Sequence, residues 1–122
     1  MSKILIVEDY ANIQQVYQTA LSFEGYDVTV AADGKEALEM VERQEPDLIL
    51  LDLLMANVGG LEFLRMYEAP KHPHTKVIVI SSLYSPELAK EVTDLGVHKY
   101  LIKSKFTPKE LVEVIKDTLA KE

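Results

Sequence analysis

Residues 4–7, 48–51 and 77–80 are unbroken apolar runs: Ile-Leu-Ile-Val, Leu-Ile-Leu-Leu and Val-Ile-Val-Ile. Runs this short and apolar at every position are the pattern of strands covered on both faces; half-exposed strands alternate instead. Strands of that kind belong to parallel sheets with helices packed above and below. Each run also stops at a polar group. The first leads into Glu8 and Asp9, the second into Asp52 and the third into Ser81, while a fourth segment, Tyr100-Leu101-Ile102, leads into Lys103. Parallel strands bring their carboxyl ends to one edge, so that edge gathers three carboxylates, a hydroxyl and an ammonium group. Such a set suits metal and phosphoryl chemistry.

The segments between these runs have helical period. Ile13, Val16, Tyr17, Ala20 and Leu21 predict a first helix from Tyr10 to Glu24, stopped by Gly25. Asp33 caps a second helix, with Glu36 as capping-box partner and Ala37, Leu38 and Val41 facing inward before Pro46 closes it. A third starts near Gly59-Gly60 and ends before Pro70. Ser85-Pro86 opens a fourth, which Gly96 ends, and Thr107-Pro108-Lys109-Glu110 is both a capping box and a proline first turn for a fifth. The remaining strand, Asp27 to Val30, alternates as an edge strand does. Five strand-then-helix repeats with right-handed crossovers give one parallel sheet between helices, an α/β domain spanning residues 1–122. Open sheets of this kind bind ligands at the carboxyl ends of their strands.

Composition removes several classes. The sequence of 122 residues holds one domain, and its formal charge of -7 disfavours direct nucleic-acid binding, which needs clustered Lys and Arg. Zero cysteines exclude disulfides and thiolate metal sites. No apolar stretch approaches a membrane span and no signal-peptide pattern precedes the first strand, so a cytoplasmic protein is expected.

A carboxylate that ends a fully apolar strand needs compensation, because burying an unpaired polar group costs about 2–7 kcal/mol. Three carboxylates together repel one another unless a divalent cation sits between them, and hard oxygen ligands suit Mg2+, with Mn2+ possible. Lys103 beside them can pair with Asp52 and hold a phosphoryl oxygen; Ser81 can bind another. His72, His74 and His98 precede the fourth and fifth strands, which puts them at the opposite edge. Tyr10, Tyr17, Tyr26, Tyr67 and Tyr84 are expected in the core or at its rim.

With these residues in place, the chain resembles the receiver domain of bacterial two-component response regulators over essentially its whole length. The resemblance rests on Glu8-Asp9 after the first strand, Asp52-Leu53-Leu54-Met55 followed by Gly60, Ser81-Ser82, and Tyr100-Leu101-Ile102-Lys103. It implies a flavodoxin-like, doubly wound sheet of order 2-1-3-4-5 flanked by five helices. It further implies that Asp52 accepts the phosphate, that Glu8, Asp9, Asp52 and the Leu54 backbone carbonyl hold Mg2+, and that Ser81 and Lys103 contact the phosphoryl group. Ser81 and Tyr100 would then form the switch. The implied donor is a sensor histidine kinase or phosphotransfer protein, and the implied output is a protein partner at the face of the fourth helix, fifth strand and fifth helix. Such a domain is not a conventional enzyme, since it catalyses only its own phosphorylation and dephosphorylation.

Two positions depart from the family pattern: Ala56 and Ser104 stand where proline is usual. Without that second proline, the Lys103-Ser104 bond is expected either trans with a shifted loop or in a strained cis form. Leu54 and Leu83, two residues after Asp52 and Ser81, occupy positions that in this family flank the path of the attacking water. Their apolar character implies slow autodephosphorylation. His98-Lys99 before Tyr100 lacks the acidic pair of many winged-helix regulators, which favours a monomer or weak dimer. An aspartate-nucleophile phosphatase would want a second aspartate at Leu54, and a flavodoxin-like cofactor carrier would want a glycine-rich loop at Glu8-Asp9-Tyr10. The remaining alternatives are a receiver cut from a longer transcriptional regulator and a phosphorylation-independent docking module.

Overall fold

The computed structural model describes residues 2–55 and 58–120; the departure at Ala56 lies outside the described residues. Five strands alternate with five helices: β1 (Lys3–Val7), α1 (Ala11–Phe23), β2 (Asp27–Ala31), α2 (Gly34–Arg43), β3 (Leu48–Leu51), α3 (Gly60–Tyr67), β4 (Lys76–Ser81), α4 (Pro86–Asp94), β5 (Lys99–Ile102) and α5 (Pro108–Ala120). All pairings are parallel, in the order β2-β1-β3-β4-β5, as the resemblance implied.

The register explains why three runs are apolar throughout. Ile6 pairs with Leu50 and Leu50 with Ile78, so alternate residues of the central strands line up on each face. On one face Leu5, Val7, Ile49, Leu51, Val77 and Val79 pack with Ala37, Phe63, Leu64 and Val92 from α2, α3 and α4. On the other, Ile4, Ile6, Leu48, Leu50, Ile78 and Ile80 meet Tyr17 and Leu21 of α1 and Leu111, Val112 and Ile115 of α5. Each such side chain contributes about 1.5–3 kcal/mol on burial. The sheet is therefore a rigid base for whatever its strand ends carry.

Helix boundaries follow the capping chemistry. Thr107 and Glu110 cap α5 reciprocally: the Glu110 amide donates to Thr107 Oγ1 at 3.1 Å and the Thr107 amide to Glu110 Oε1 at 2.9 Å. Asp33 accepts from the Glu36 amide at 2.9 Å, and the Glu36 carboxylate reaches back to accept from the Ala32 amide at 3.3 Å. Ser85 Oγ accepts from the Leu88 amide at the start of α4. Gly25 follows α1 with φ +91, a left-handed conformation natural to glycine. Of the apolar positions that give α1 its period, Val16 is 46% exposed, because Tyr17 and Leu21 already fill the face of the helix that meets the sheet. Tyr10 and Tyr84 lie at the rim, exposed.

The histidines sit away from the acidic edge. His74 Nε2 lies 2.6 Å from Asp47 Oδ1, and His98 Nδ1 accepts from the Val77 amide at 3.0 Å. Burial, with Lys76 nearby, lowers the His98 pKa and keeps that ring neutral as the acceptor needs.

Gly60 fixes the loop after Asp52. A Cβ there would stand 2.6 Å from the Asp52 carbonyl oxygen and 2.6 Å from Leu53 Cα, both backbone atoms that cannot step aside. Gly60→Ala should therefore destabilise the domain by about 1–3 kcal/mol. Urea unfolding checks this; an unchanged midpoint would mean that the loop yields.

Candidate metal and phosphoryl site

Sheet pairing continues one residue beyond β1 and β3, and that extension places the acids. The Glu8 amide donates to the Ala31 carbonyl at 3.0 Å and the Asp52 amide to the Val7 carbonyl at 3.0 Å. Both side chains are thereby held at the carboxyl edge. Glu8 is 1% exposed and Asp52 3%. One oxygen from each of Glu8, Asp9 and Asp52 falls within 4.8 Å of the others.

Lys103 joins them from the end of β5. Its Nζ lies 3.0 Å from Glu8 Oε1 and 3.1 Å from Asp52 Oδ2, so one ammonium bridges two buried carboxylates. The described residues contain no cis peptide bond, and the chain after β5 turns through a short 3-10 segment, Lys103–Lys105. Of the two expected geometries, the trans bond is therefore the one found, and Lys103 still reaches the acids across it.

Backbone amides complete the acid shell. The Leu54 amide donates to Asp52 Oδ1 at 3.1 Å and the Tyr10 amide to Glu8 Oε2 at 3.2 Å. Burial raises the Glu8 pKa and the Asp52 charge adds to it, while Lys103 and the Tyr10 amide act in the opposite sense. For Lys103, burial favours the neutral amine, but the bonds to Glu8 and Asp52 outweigh it and its pKa is raised. The lysine is thus held charged against two acids that lack solvent. Three convergent carboxylate oxygens, with no imidazole or thiolate in the cluster among the described residues, fit a small divalent cation that keeps part of its water.

Ser81 is wholly buried at the end of β4, and its Oγ accepts from the Leu83 amide at 3.1 Å. The Tyr100 hydroxyl donates to the Leu83 carbonyl, so the backbone of Leu83 links the two residues through its amide and its carbonyl. Burial raises the Tyr100 pKa, and the Ser81 hydroxyl pulls it back. Tyr84 meets Tyr100 edge to face, with ring centroids 5.4 Å apart. Every side chain expected at this edge is thus gathered there, with Tyr100 bordering it. Sequence patterns gave no sign of two further neighbours: Gln14 Nε2 donates to the Glu8 carbonyl at 2.5 Å, and Tyr84 packs on Tyr100. A glutamine on a helix and an exposed tyrosine carry no periodic or motif signal.

The sequence matches the family described as response regulator receiver domain over residues 4–116. The chain belongs to that family. This receiver is 37% identical over 119 residues to a "Probable transcriptional regulator ycf27" of Porphyridium aerugineum, covering 96% of the chain and 48% of that relative. It is 35% identical over 122 residues to the response regulator ArlR of Staphylococcus saprophyticus, covering 100% of the chain and 54% of ArlR. The solved structure of a CheY-like response regulator receiver domain protein from Methanospirillum hungatei superposes with a TM-score of 0.91 at 30% identity, covering 99% of this chain and 95% of that one. The receiver spans about half the length of the curated relatives it matches. No described helix is long and apolar enough to cross a membrane.

Proposed function

We propose that this receiver is a phosphorylation-driven switch in which Asp52 accepts a phosphoryl group from a histidine kinase or phosphotransfer partner. The observation that carries the reading is the double bridge from Lys103 Nζ to Glu8 and Asp52, beside a cluster of three carboxylates. An Asp52 carboxylate oxygen attacks phosphorus, and the bond from phosphorus to the donor histidine nitrogen, or to the oxygen of a small acyl phosphate, breaks. Lys103 turns its charge toward the incoming phosphoryl oxygens, and Ser81 donates to another of them. Glu8, Asp9, Asp52 and the Leu54 carbonyl would hold Mg2+, which when bound offsets the negative charge of the transferring group. Recruiting Ser81 to the phosphoryl oxygens disturbs its bond to the Leu83 amide, and the Leu83 carbonyl in turn holds Tyr100. The change reaches the face of α4, β5 and α5, where an output partner would read it.

The length of the curated relatives, one of them named a transcriptional regulator, supports a second reading of the whole protein: a receiver that controls an attached output domain.

Incubation with Mg2+ and acetyl phosphate, followed by intact mass and peptide mapping, tests the switch reading. One added phosphoryl group on the peptide holding Asp52 is expected; no gain would leave a docking module instead. Mg2+ should also raise the melting temperature. At a hundred times its dissociation constant a ligand of the folded state adds about 2.7 kcal/mol, roughly 10 °C for a domain of this size. A melting curve that Mg2+ does not move would remove the metal from the site.

A further inference from the structure

A second concave site lies at the other end of the sheet. The carboxyl end of α2 and the amino ends of β1 and β2 enclose a cleft of about 180 Å³. Along β1 its outer residue Lys3 stands about 16 Å from Glu8 and its floor residue Leu5 about 10 Å, at about 3.3 Å per residue. Its floor is apolar: Leu5 is 2% exposed, and Met40 and Pro46 close the sides. Lys3, Asp27 and Arg43 line the same cleft, and Lys3 stands opposite Asp27 in the register. The side chains of Lys3 and Arg43 form no salt bridge among the described residues.

Size and charge together select an occupant. Ordinary small-molecule sites measure about 300–1,000 Å³, so no nucleotide or large cofactor fits. An apolar cavity of about 150 Å³ does take a benzene ring. Two cations against one carboxylate leave a single positive charge in the lining, which matches a monoanion. Arg43 matters more than Lys3 for this purpose. It sits in the last turn of α2, where the helix dipole presents carbonyl oxygens and repels anions, so a carboxylate held there needs the guanidinium, with Lys3 as a second cation.

We propose that this cleft binds a small apolar monocarboxylate, with its ring or short chain on Leu5, Met40 and Pro46 and its carboxylate on Arg43 and Lys3. The proposal does not depend on phosphorylation of Asp52.

Phenylacetate serves as the probe, titrated into the isotope-labelled chain and followed by amide chemical shifts. Saturable shifts centred on Leu5, Thr29 and Arg43 are expected at millimolar concentration or below. Phenylacetamide, the uncharged isostere, and the Arg43→Gln variant should each bind at least ten-fold more weakly. Met40→Trp should fill the cleft and remove binding; Lys3→Gln, at a less critical position, should weaken it without removing it. Asp52→Ala should bind as the parent does, separating this site from the phosphoryl edge. Absence of saturation up to about 20 mM, equal binding of acid and amide, or shifts centred on Ser81 and Lys103 would each overturn the proposal. Shifts confined to Val28 and Val30 would do so too, by pointing to addition at the free edge of β2.

Discussion

Lys103→Met should slow phosphoryl uptake at Asp52 by about 10²–10³-fold, the range seen when one preorganised donor is removed from a reacting oxyanion. Asp52→Ala should abolish uptake. Both are read as mass gain against time with acetyl phosphate and Mg2+. Methionine keeps most of the volume of the lysine stem, so the substitution tests charge. In the parent, one ammonium stands 3.0 and 3.1 Å from two acids that are nearly without solvent, where an ion pair is screened far less than at the surface. Without it, Glu8 and Asp52 face each other as like charges. Breaking a buried pair from one side typically costs about 3–5 kcal/mol, so Lys103→Met should also lower the melting temperature in metal-free buffer. Restoring part of that loss with Mg2+, but not the rate, would separate the role of the lysine in folding from its role toward the phosphoryl group. Lys109→Met, on the exposed first turn of α5, is the control and should change neither. A Lys103→Met rate within three-fold of the parent would show that the bridge is only structural.

The same bridge explains which parts of the molecule were legible in the sequence. A strand covered on both faces leaves an unmistakable trace, since each of its residues must be apolar, and residues 4–7, 48–51 and 77–80 all obey. The first polar residue after such a strand is then conspicuous, as Glu8, Asp52 and Ser81 are, and Lys103 stands out in the same way after the shorter run 100–102. Capping residues were equally plain because their spacing is fixed by the helix turn, as at Thr107 and Glu110. Periodicity alone did not decide how wide a face α1 buries. Val16 belongs to the apolar stripe by spacing, yet the sheet meets only the part of the helix that carries Tyr17 and Leu21. Contacts made by the backbone were also hidden. The Gln14 amide on the Glu8 carbonyl and the Leu83 backbone between Ser81 and Tyr100 depend on where loops turn, which residue type does not record. Strand order and the full role of the site came only from resemblance, because a repeat of strand and helix is compatible with more than one winding of a parallel sheet.

Lys103 also shows how a missing proline can be tolerated. Proline after this lysine lowers the cost of a cis bond, and Ser104 removes that help. The trans chain instead passes into a 3-10 turn, and the position of the lysine is set from the other end, by its two carboxylate partners. Its reach is therefore coupled to the charge state of the acids, so a ligand that takes up Glu8 or Asp52 should also loosen the turn that follows.

Changing both Leu54 and Leu83 to asparagine should shorten the lifetime of the aspartyl phosphate by about ten-fold or more. Hydrolysis needs a water placed in line with the phosphorus–oxygen bond to Asp52, and an apolar wall on the approach deprives that water of hydrogen-bond partners. The two leucines are suited to form the wall. Each follows a site residue by two positions, with its own amide bonded back to that residue: Leu54 to Asp52 Oδ1 and Leu83 to Ser81 Oγ. The two residues are 45% and 49% exposed, so they stand at the mouth rather than in the core. Exposed positions of this kind usually change stability by no more than about 0.5 kcal/mol, and the backbone bonds remain after either substitution. Loss of phosphate, followed by intact mass after the donor is removed, should therefore report water access with the fold unchanged. Leu54→Ile with Leu83→Ile should keep the parent lifetime, since the wall stays apolar. Equal lifetimes for the asparagine and isoleucine pairs would show that these side chains do not govern the approach of water.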